Sequence, residues 1–590
     1  MLSSYSSRLP SLEPEDGRQF DERRSGTNIP HLTLQDVGRS KLYSPWRITH
    51  ADYTSINGII QRERNILPVP FELPSRHALN RYFEGYFTGF YNHLPFLHIP
   101  TLSLADISPA LCLAIAAIGA QYRFEREEAL RLYCASKAFV DYQIGLRPRW
   151  SIASTALGNS GQEYSPVSSI LEPEGNQHDC HNAHRLELTQ ALIILMIFAT
   201  YNPHSLLQDA FEMANCLVCD LREEKLLEQV DNCLDLTWEQ WVRMESRRRT
   251  ILGAFVFLHI QSIVYDIPPK LMSSEICLIR VPVSEALWRA RNATEWMTMQ
   301  TQDKPADITF GECYAAYFAS TREHSSKCDV SPFGNLASIH AMIQQIYLAW
   351  ELSFTTFSYG GCDEPKIQCL PPSMVTRFEH ALGNWKSNWE ATTESSIDPA
   401  SSCGPLGFNS TALFRIACMR LHFNLGPHLK FNTRDPRIIA EAIRQAPLPA
   451  RTPKLYNAIL QSAHSLSIPV RLGVEYVART QTLTWSIVHT LCNVECAFFL
   501  SKWLQLIALD PERLFPEEKM LLGLVNSVLC ETNLKVPIQA EQDSSKRIKR
   551  IGIAIIKLLA QTLKGNHVFE LVEILCVSLE TYAESLEHDL

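Results

Sequence analysis

Three groups of cysteine and histidine have residue types that could bind a metal or act as nucleophiles. Cys216-Leu217-Val218-Cys219 has the spacing that opens a zinc finger. A finger also needs a pair of histidines about twelve residues further on, because four ligands must converge on a tetrahedral ion. No such pair lies within reach, and Phe211, Met213 and Leu217 interleave with the thiols at helical spacing, so two thiols buried in a core are expected. His178, Cys180, His181 and His184 crowd a polar stretch without a second ligand pair, which reads as a solvated loop. His489, Cys492 and Cys496 fall at i, i+3 and i+7, on the helix face shared by Trp485, Phe499 and Trp503, and read as core packing.

Two basic runs complete the inventory. Arg247-Arg248-Arg249 precedes the apolar run Ile251–Ile260 and reads as a polar turn of a long helix. Lys546, Arg547, Lys549 and Arg550 open an amphipathic helix and form a candidate nuclear-import or anion-contacting patch. Neither run has the interleaved aromatic or groove-entering residues that DNA readout needs. Phosphate-binding glycine loops, a nucleophile elbow and a zincin motif are all missing. So is the Asp-rich cluster with which a helical cyclase holds magnesium and a diphosphate. No catalytic, cofactor-binding or metal-ligating residue is assigned, and the chain reads as no enzyme. The alternative is a helical enzyme or small-molecule-binding protein with a buried pocket.

The elements that must position these residues are helices. Tyr82, Tyr86 and Phe90 recur at i, i+4 and i+8, with Phe83, Phe87 and Tyr91 one position on, which makes one broad apolar face. A turn bounded by Pro95 and Pro100 follows, then Leu111–Ala120, apolar all round as a fully buried helix would be. Further helices are expected over 125–140, 187–199, 205–221, 238–265, 287–298 and 336–352. In the second half they are expected over 374–391, 411–425, 436–446, 453–466, 482–508, 517–530, 545–563 and 568–586. No period-2 strand pattern of any length occurs, so the fold class is all-α.

The chain has 590 residues, 46% hydrophobic and 20% charged, with a net charge of −9, so nothing draws it as a whole to phosphate. Its 17 cysteines show no disulfide rhythm, and with no secretion signal they read as reduced thiols of a nucleus or cytosol. The longest apolar runs fall short of the roughly 18 residues a membrane helix needs. Residues 1–50 are polar, with seven basic and six acidic side chains, and are expected to be a disordered tail. A linker is expected over 51–72, with a short helix over 52–66 and a Pro-punctuated connector at Leu67-Pro68-Val69-Pro70, then a first helical half over 73–357 with a mobile loop at 148–184, a connecting loop over 358–372, and a second half over 373–590.

Several stretches taken together resemble the fungal-specific transcription factor domain, in the branch usually preceded by two-Cys/two-His zinc fingers. Leu73-Pro74-Ser75-Arg76, Arg81-Tyr82-Phe83 and His93-Leu94-Pro95-Phe96-Leu97-His98 look like its opening. Trp238-Glu239-Gln240-Trp241, Glu245-Ser246-Arg247-Arg248, Pro268-Pro269-Lys270-Leu271, Val281-Pro282 and Leu287-Trp288-Arg289-Ala290 are similar to its internal series, with Val281 where leucine is usual. Pro332–Leu336 with Ile339-His340-Ala341, Phe408–Leu413, Ala463–Gly473 and Glu495–Trp503 continue it, so the collinear set spans roughly 73–505. The resemblance implies a nuclear, all-helical regulator of transcription, of the kind that controls metabolic or biosynthetic gene sets. It also implies that the tryptophans pack helices and that Arg248 pairs with a carboxylate. Family members carry zinc fingers ahead of this region, and the first 72 residues here contain no cysteine. Zinc is therefore expected only if a finger module lies upstream. DNA would be reached through such a module or through a partner: another regulator, or a second copy of the chain. A small-molecule effector is the remaining partner class, and no membrane is expected.

Overall fold

A computed structural model describes residues 46–68, 71–104, 106–145, 174–223, 227, 236–302, 308–319, 330–358, 370–534 and 543–590. Among these the chain is helical, and the extended pairing is one isolated antiparallel bridge between Arg280 and Thr309. No helix among them is long and apolar enough to cross a membrane. The described chain forms two compact units, residues 46–86 with 102–198 and residues 87–101 with 199–590.

The first unit is built on the helix Pro109–Tyr122. Ser108 caps it by accepting from the Leu111 N–H, and Pro109 occupies the first turn, where a missing N–H costs nothing. From Ala110 to Tyr122 every residue is buried, as an all-apolar helix requires. The Arg76–Gly85 helix crosses it so closely that a Cβ on Gly119 would lie 1.8 Å from the Tyr82 carbonyl oxygen. Glycine at 119 is thus a condition of the crossing. Arg126–Gly145 packs on the same helix, and Glu125 ties the pair by accepting from Arg81 and from the Tyr82 hydroxyl.

Three expectations change here and one holds. The amphipathic stretch does not continue as one α-helix through Tyr91; it widens into a π turn at Tyr86–Phe90, then a 3-10 turn at Tyr91–His93. Order begins before residue 50, with Ile48 fully buried and Thr49 forming a capping box with Asp52; residues 1–45 of the expected tail lie outside the described residues. The short helix expected over 52–66 is present, as His50–Arg62 followed by a 3-10 turn at Arg64–Ile66, and it buries Ile56 and Ile60. The last part of the expected 148–184 loop is helical, because Glu174–Tyr201 propagates outward from a long buried run at Leu188–Phe198; residues 146–173 lie outside the described residues.

In the second unit, Trp238–Tyr265 starts at a Thr237/Gln240 capping box and stops where Asp266 turns left-handed. Pro332–Ser358 packs on Leu406–Arg420, which packs in turn on Leu455–Leu472 and Ile487–Ile507. Ser544–Thr562, Glu570–His588 and Pro436–Gln445 extend the stack from there. The helix expected over 482–508 is two: Val474–Thr484 ends where Trp485 is extended, and Ser486 caps the next helix at Ile487. The helix expected over 287–298 likewise splits into Glu285–Trp288 and Ala293–Gln302. Residues 359–369 of the expected connecting loop lie outside the described residues.

Candidate functional site

Four arginines of the second unit are buried, Arg249, Arg415, Arg420 and Arg434, and what they meet differs; Arg434 donates to the Thr200 carbonyl and the Tyr265 hydroxyl. Arg249 is fully buried. Its Nε donates to Glu245 at 2.8 Å, its Nη1 to Glu285 at 2.8 Å, and its Nη2 to the Val283 carbonyl at 2.8 Å. The guanidinium also lies 4.7 Å from the Trp288 ring centre. Two carboxylates and a ring face offset the cost of removing this charge from water, which would otherwise be several kcal/mol. Arg248 adds a 2.5 Å bond to Glu245. Around this node Trp241, Trp288 and Trp296 share one apolar cluster with Val242, Val283 and Leu287.

The helix Leu406–Arg420 is buried along its whole length and carries the other two, Arg415 and Arg420. Arg420 grips Glu495 in a fork, Nε to Oε1 at 2.7 Å and Nη2 to Oε2 at 2.8 Å, and gives a further bond to the Ile263 carbonyl at 3.0 Å. Such a fork is the strongest geometry an arginine–carboxylate pair can take. Arg415, five residues earlier and 1% exposed, has no carboxylate. Its Nε and Nη1 are buried without a hydrogen-bond partner. The ionisable groups around it are the thiols of Cys418, Cys492 and Cys496 and the imidazoles of His464 and His489.

None of those neighbours can neutralise it. Burial pushes the Cys418 thiol up to about 12 and the Cys496 thiol up to about 11, and raises Cys492 too, so all three stay protonated. Burial pulls His464 down to about 4 and holds His489 well below its ordinary value, so both imidazoles are neutral. His464 Nδ1 and His489 Nε2 also lack partners. His489 stacks on Phe408 with ring centres 3.8 Å apart. The result is a buried guanidinium with no carboxylate against it, in a part of the core where several other buried polar atoms also lack hydrogen-bond partners.

The residues singled out from sequence distribute as follows. His489, Cys492 and Cys496 do share a buried helix face, and that face lies near Arg415. Cys216 and Cys219 do not form the expected buried pair: Cys219 is exposed and Cys216 half-buried, because the helix Leu207–Glu223 turns Met213, Ala214, Leu217 and Val218 inward instead. His184 is exposed, and the side chains of His178, Cys180 and His181 lie outside the described residues. No group of three or more His, Cys, Asp or Glu among the described residues could hold a metal ion. Arg249 is not part of a polar turn but sits in the core, because Glu245 lies four residues before it and Glu285 is delivered from another helix. Lys546 and Arg547 are exposed on the first turn of Ser544–Thr562, with Lys549 and Arg550 half-buried.

Sequence reasoning missed Arg415, Arg420, Glu285 and the pairing role of Glu495. The available signal was a charged residue inside an otherwise apolar helical run, which must be partnered to be tolerated.

Comparison with known families fits this architecture. Residues 79–387 match the fungal specific transcription factor domain, and residues 424–581 match the fungal transcription factor C-terminal domain. No curated protein and no solved structure matches the chain. The first match spans more than half the chain, and the described helices and buried arginine nodes lie within or beside the two matched regions. The family is one of transcription regulators, not enzymes, and this chain belongs to the fungal-specific transcription factor domain family.

Proposed function

We propose that this regulator controls a metabolic or biosynthetic gene set from the nucleus, and that its helical domain supplies the regulatory response rather than base readout. The single observation that carries this reading is Arg415, a buried guanidinium with no carboxylate partner. A domain that served only to pack helices gains nothing from an uncompensated buried charge, which costs several kcal/mol. A domain that answers to an effector has a use for it. DNA is reached through a partner regulator, a second copy, or a zinc module upstream of this chain. Entry to the nucleus uses Lys546, Arg547, Lys549 and Arg550, a reading supported by the exposure of the first two.

The test fuses the whole chain to an unrelated DNA-binding module in a fungal reporter strain. Reporter output should change several-fold relative to the module alone at equal protein level, and an unchanged output refutes the reading. In the unfused chain, Lys546→Ala with Arg547→Ala should shift a fluorescent fusion from nucleus to cytosol. An unmoved fusion refutes the import assignment.

A further inference from the structure

The helix Leu207–Glu223 carries two thiols that its core does not use. Met213, Ala214, Leu217 and Val218 turn inward, which leaves Cys216 half-buried and Cys219 exposed, one turn apart. Helical geometry sets residues three apart about 60° round the axis with Cα atoms about 5 Å apart, inside the roughly 4.4–6.8 Å that a disulfide spans. Each thiol also has a cation in reach. The Lys270 ammonium donates to Asn215 at 2.7 Å, next to Cys216 in the chain, and acts electrostatically on Cys216. Arg222, three positions after Cys219, acts on that thiol while its guanidinium is forked on Glu275 at 2.6 and 2.9 Å. Reactive cysteines sit in electropositive, partly exposed surroundings of this kind, whereas buried ones are inert. A zinc ion needs more ligands than one pair, and no group of three His, Cys, Asp or Glu among the described residues supplies them.

We propose that Cys216 and Cys219 form a reversible oxidation site, at which a hydroperoxide converts the dithiol to a disulfide within one helical turn. Cys219, the exposed thiol, attacks the terminal peroxide oxygen as a thiolate. The O–O bond breaks, the leaving alkoxide takes up a proton (giving water where the oxidant is hydrogen peroxide), and Cys219 becomes a sulfenic acid. Cys216 then attacks that sulfur, an S–S bond forms and water leaves. The two thiols lose two electrons and the peroxide gains them. The helix makes the product labile. Cβ atoms one turn apart lie about 5–6 Å from each other, and a relaxed disulfide needs about 3.5–4.5 Å. Closing it draws in a turn bracketed by Asn215 and Arg222, the residues that hold Lys270 and Glu275. A strained, exposed disulfide is easily reduced, as a redox-sensing one in a reducing compartment must be. This chemistry is independent of the regulatory reading above.

The experiment treats the full purified chain, reduced and then freed of reductant, with hydrogen peroxide. Remaining thiols are blocked with N-ethylmaleimide and the tryptic peptides are weighed. Arg185 and Arg222 bound a peptide, residues 186–222, whose only cysteines are these two. It should appear two hydrogens lighter and unalkylated, and dithiothreitol should return the doubly alkylated form. In Cys216→Ser, Cys219 should stop at a sulfenic acid that dimedone traps. Cys219→Ser should slow oxidation of Cys216 by about tenfold or more. Mapping of the unaltered chain needs no variant, and circular dichroism checks that both variants keep the helical fold. Thiols that both remain alkylatable once the exposed Cys134 has been oxidised overturn the site. A bond from either thiol to another cysteine, or over-oxidation of Cys219 without the link, overturns the pairing. A linked peptide that survives dithiothreitol overturns reversibility.

Discussion

Replacing Glu495 by leucine isolates the worth of the Arg420 pair. Both side chains are buried, at 5% and 3% side-chain exposure, and the fork provides two charge-assisted bonds of 2.7 and 2.8 Å. Glu495→Leu nearly conserves volume, so cavity formation contributes little, and the dominant effect is the guanidinium left with one carbonyl, that of Ile263. Stranding one member of a buried ion pair costs about 3–5 kcal/mol, a large part of the roughly 5–15 kcal/mol that stabilises a typical fold. Urea unfolding followed by circular dichroism at 222 nm should show a lower midpoint at an unchanged slope, equivalent to a more than hundredfold fall in the folded-to-unfolded ratio. The double variant Arg420→Met with Glu495→Leu should recover most of that loss, because replacing the whole pair by apolar groups is near neutral. A single-variant cost below about 1 kcal/mol, or a double variant no better than the single, would refute the claim that uncompensated charge is what this core cannot tolerate. The same reasoning predicts the opposite sign at Arg415. There Arg415→Met should be neutral or stabilising, since that charge has no partner to strand.

Other outcomes follow from the same interior. Burial holds His98 and His464 at about 4 and His340 at about 3, against 6.5 when unfolded. Each therefore contributes stability that is present above pH 6.5 and lost as pH falls towards the folded value, at about 1 kcal/mol per pH unit. The three together should remove on the order of 4 kcal/mol between pH 6.5 and 5, with His259 and His489 acting in the same direction. The raised carboxyls of Glu187 and Asp266 work the other way. A Tm that stays flat from pH 6.5 to 5 would contradict this. Gly119→Ala should cost about 3 kcal/mol or more, since its Cβ meets Tyr82 backbone that no side-chain rotation can clear. Ready folding of this variant with the wild-type Tm would mean the two helices do not cross as described.

How much of this could be read from sequence depended on whether the information was local. The 3.6-residue recurrence of apolar side chains is local, and it marked out Pro109–Tyr122, Trp238–Tyr265 and Pro516–Cys530 to within a few residues. Helix ends were less legible. The break at Trp485 and the π turn at Tyr86–Phe90 depend on what the neighbouring helices leave room for, and apolar periodicity runs straight through both. Composition likewise marked the chain as all-helical, and the collinear motifs pointed to the family. The fate of the charged side chains was not local. Arg247-Arg248-Arg249 reads as a solvated turn until Glu285, 36 residues away from Arg249, is delivered to it. Arg415 and Arg420 are alike in sequence, both arginines in one apolar helix. Only the packing of Leu406–Arg420 against Ile487–Ile507 brings Glu495 to one and leaves thiols and neutral imidazoles around the other. Periodicity determines which face of a helix is buried, but electrostatic compensation is settled by which helices meet and in what register. That is why the sequence by itself specified the fold class and family, and the tertiary structure alone decided which buried arginines meet a carboxylate.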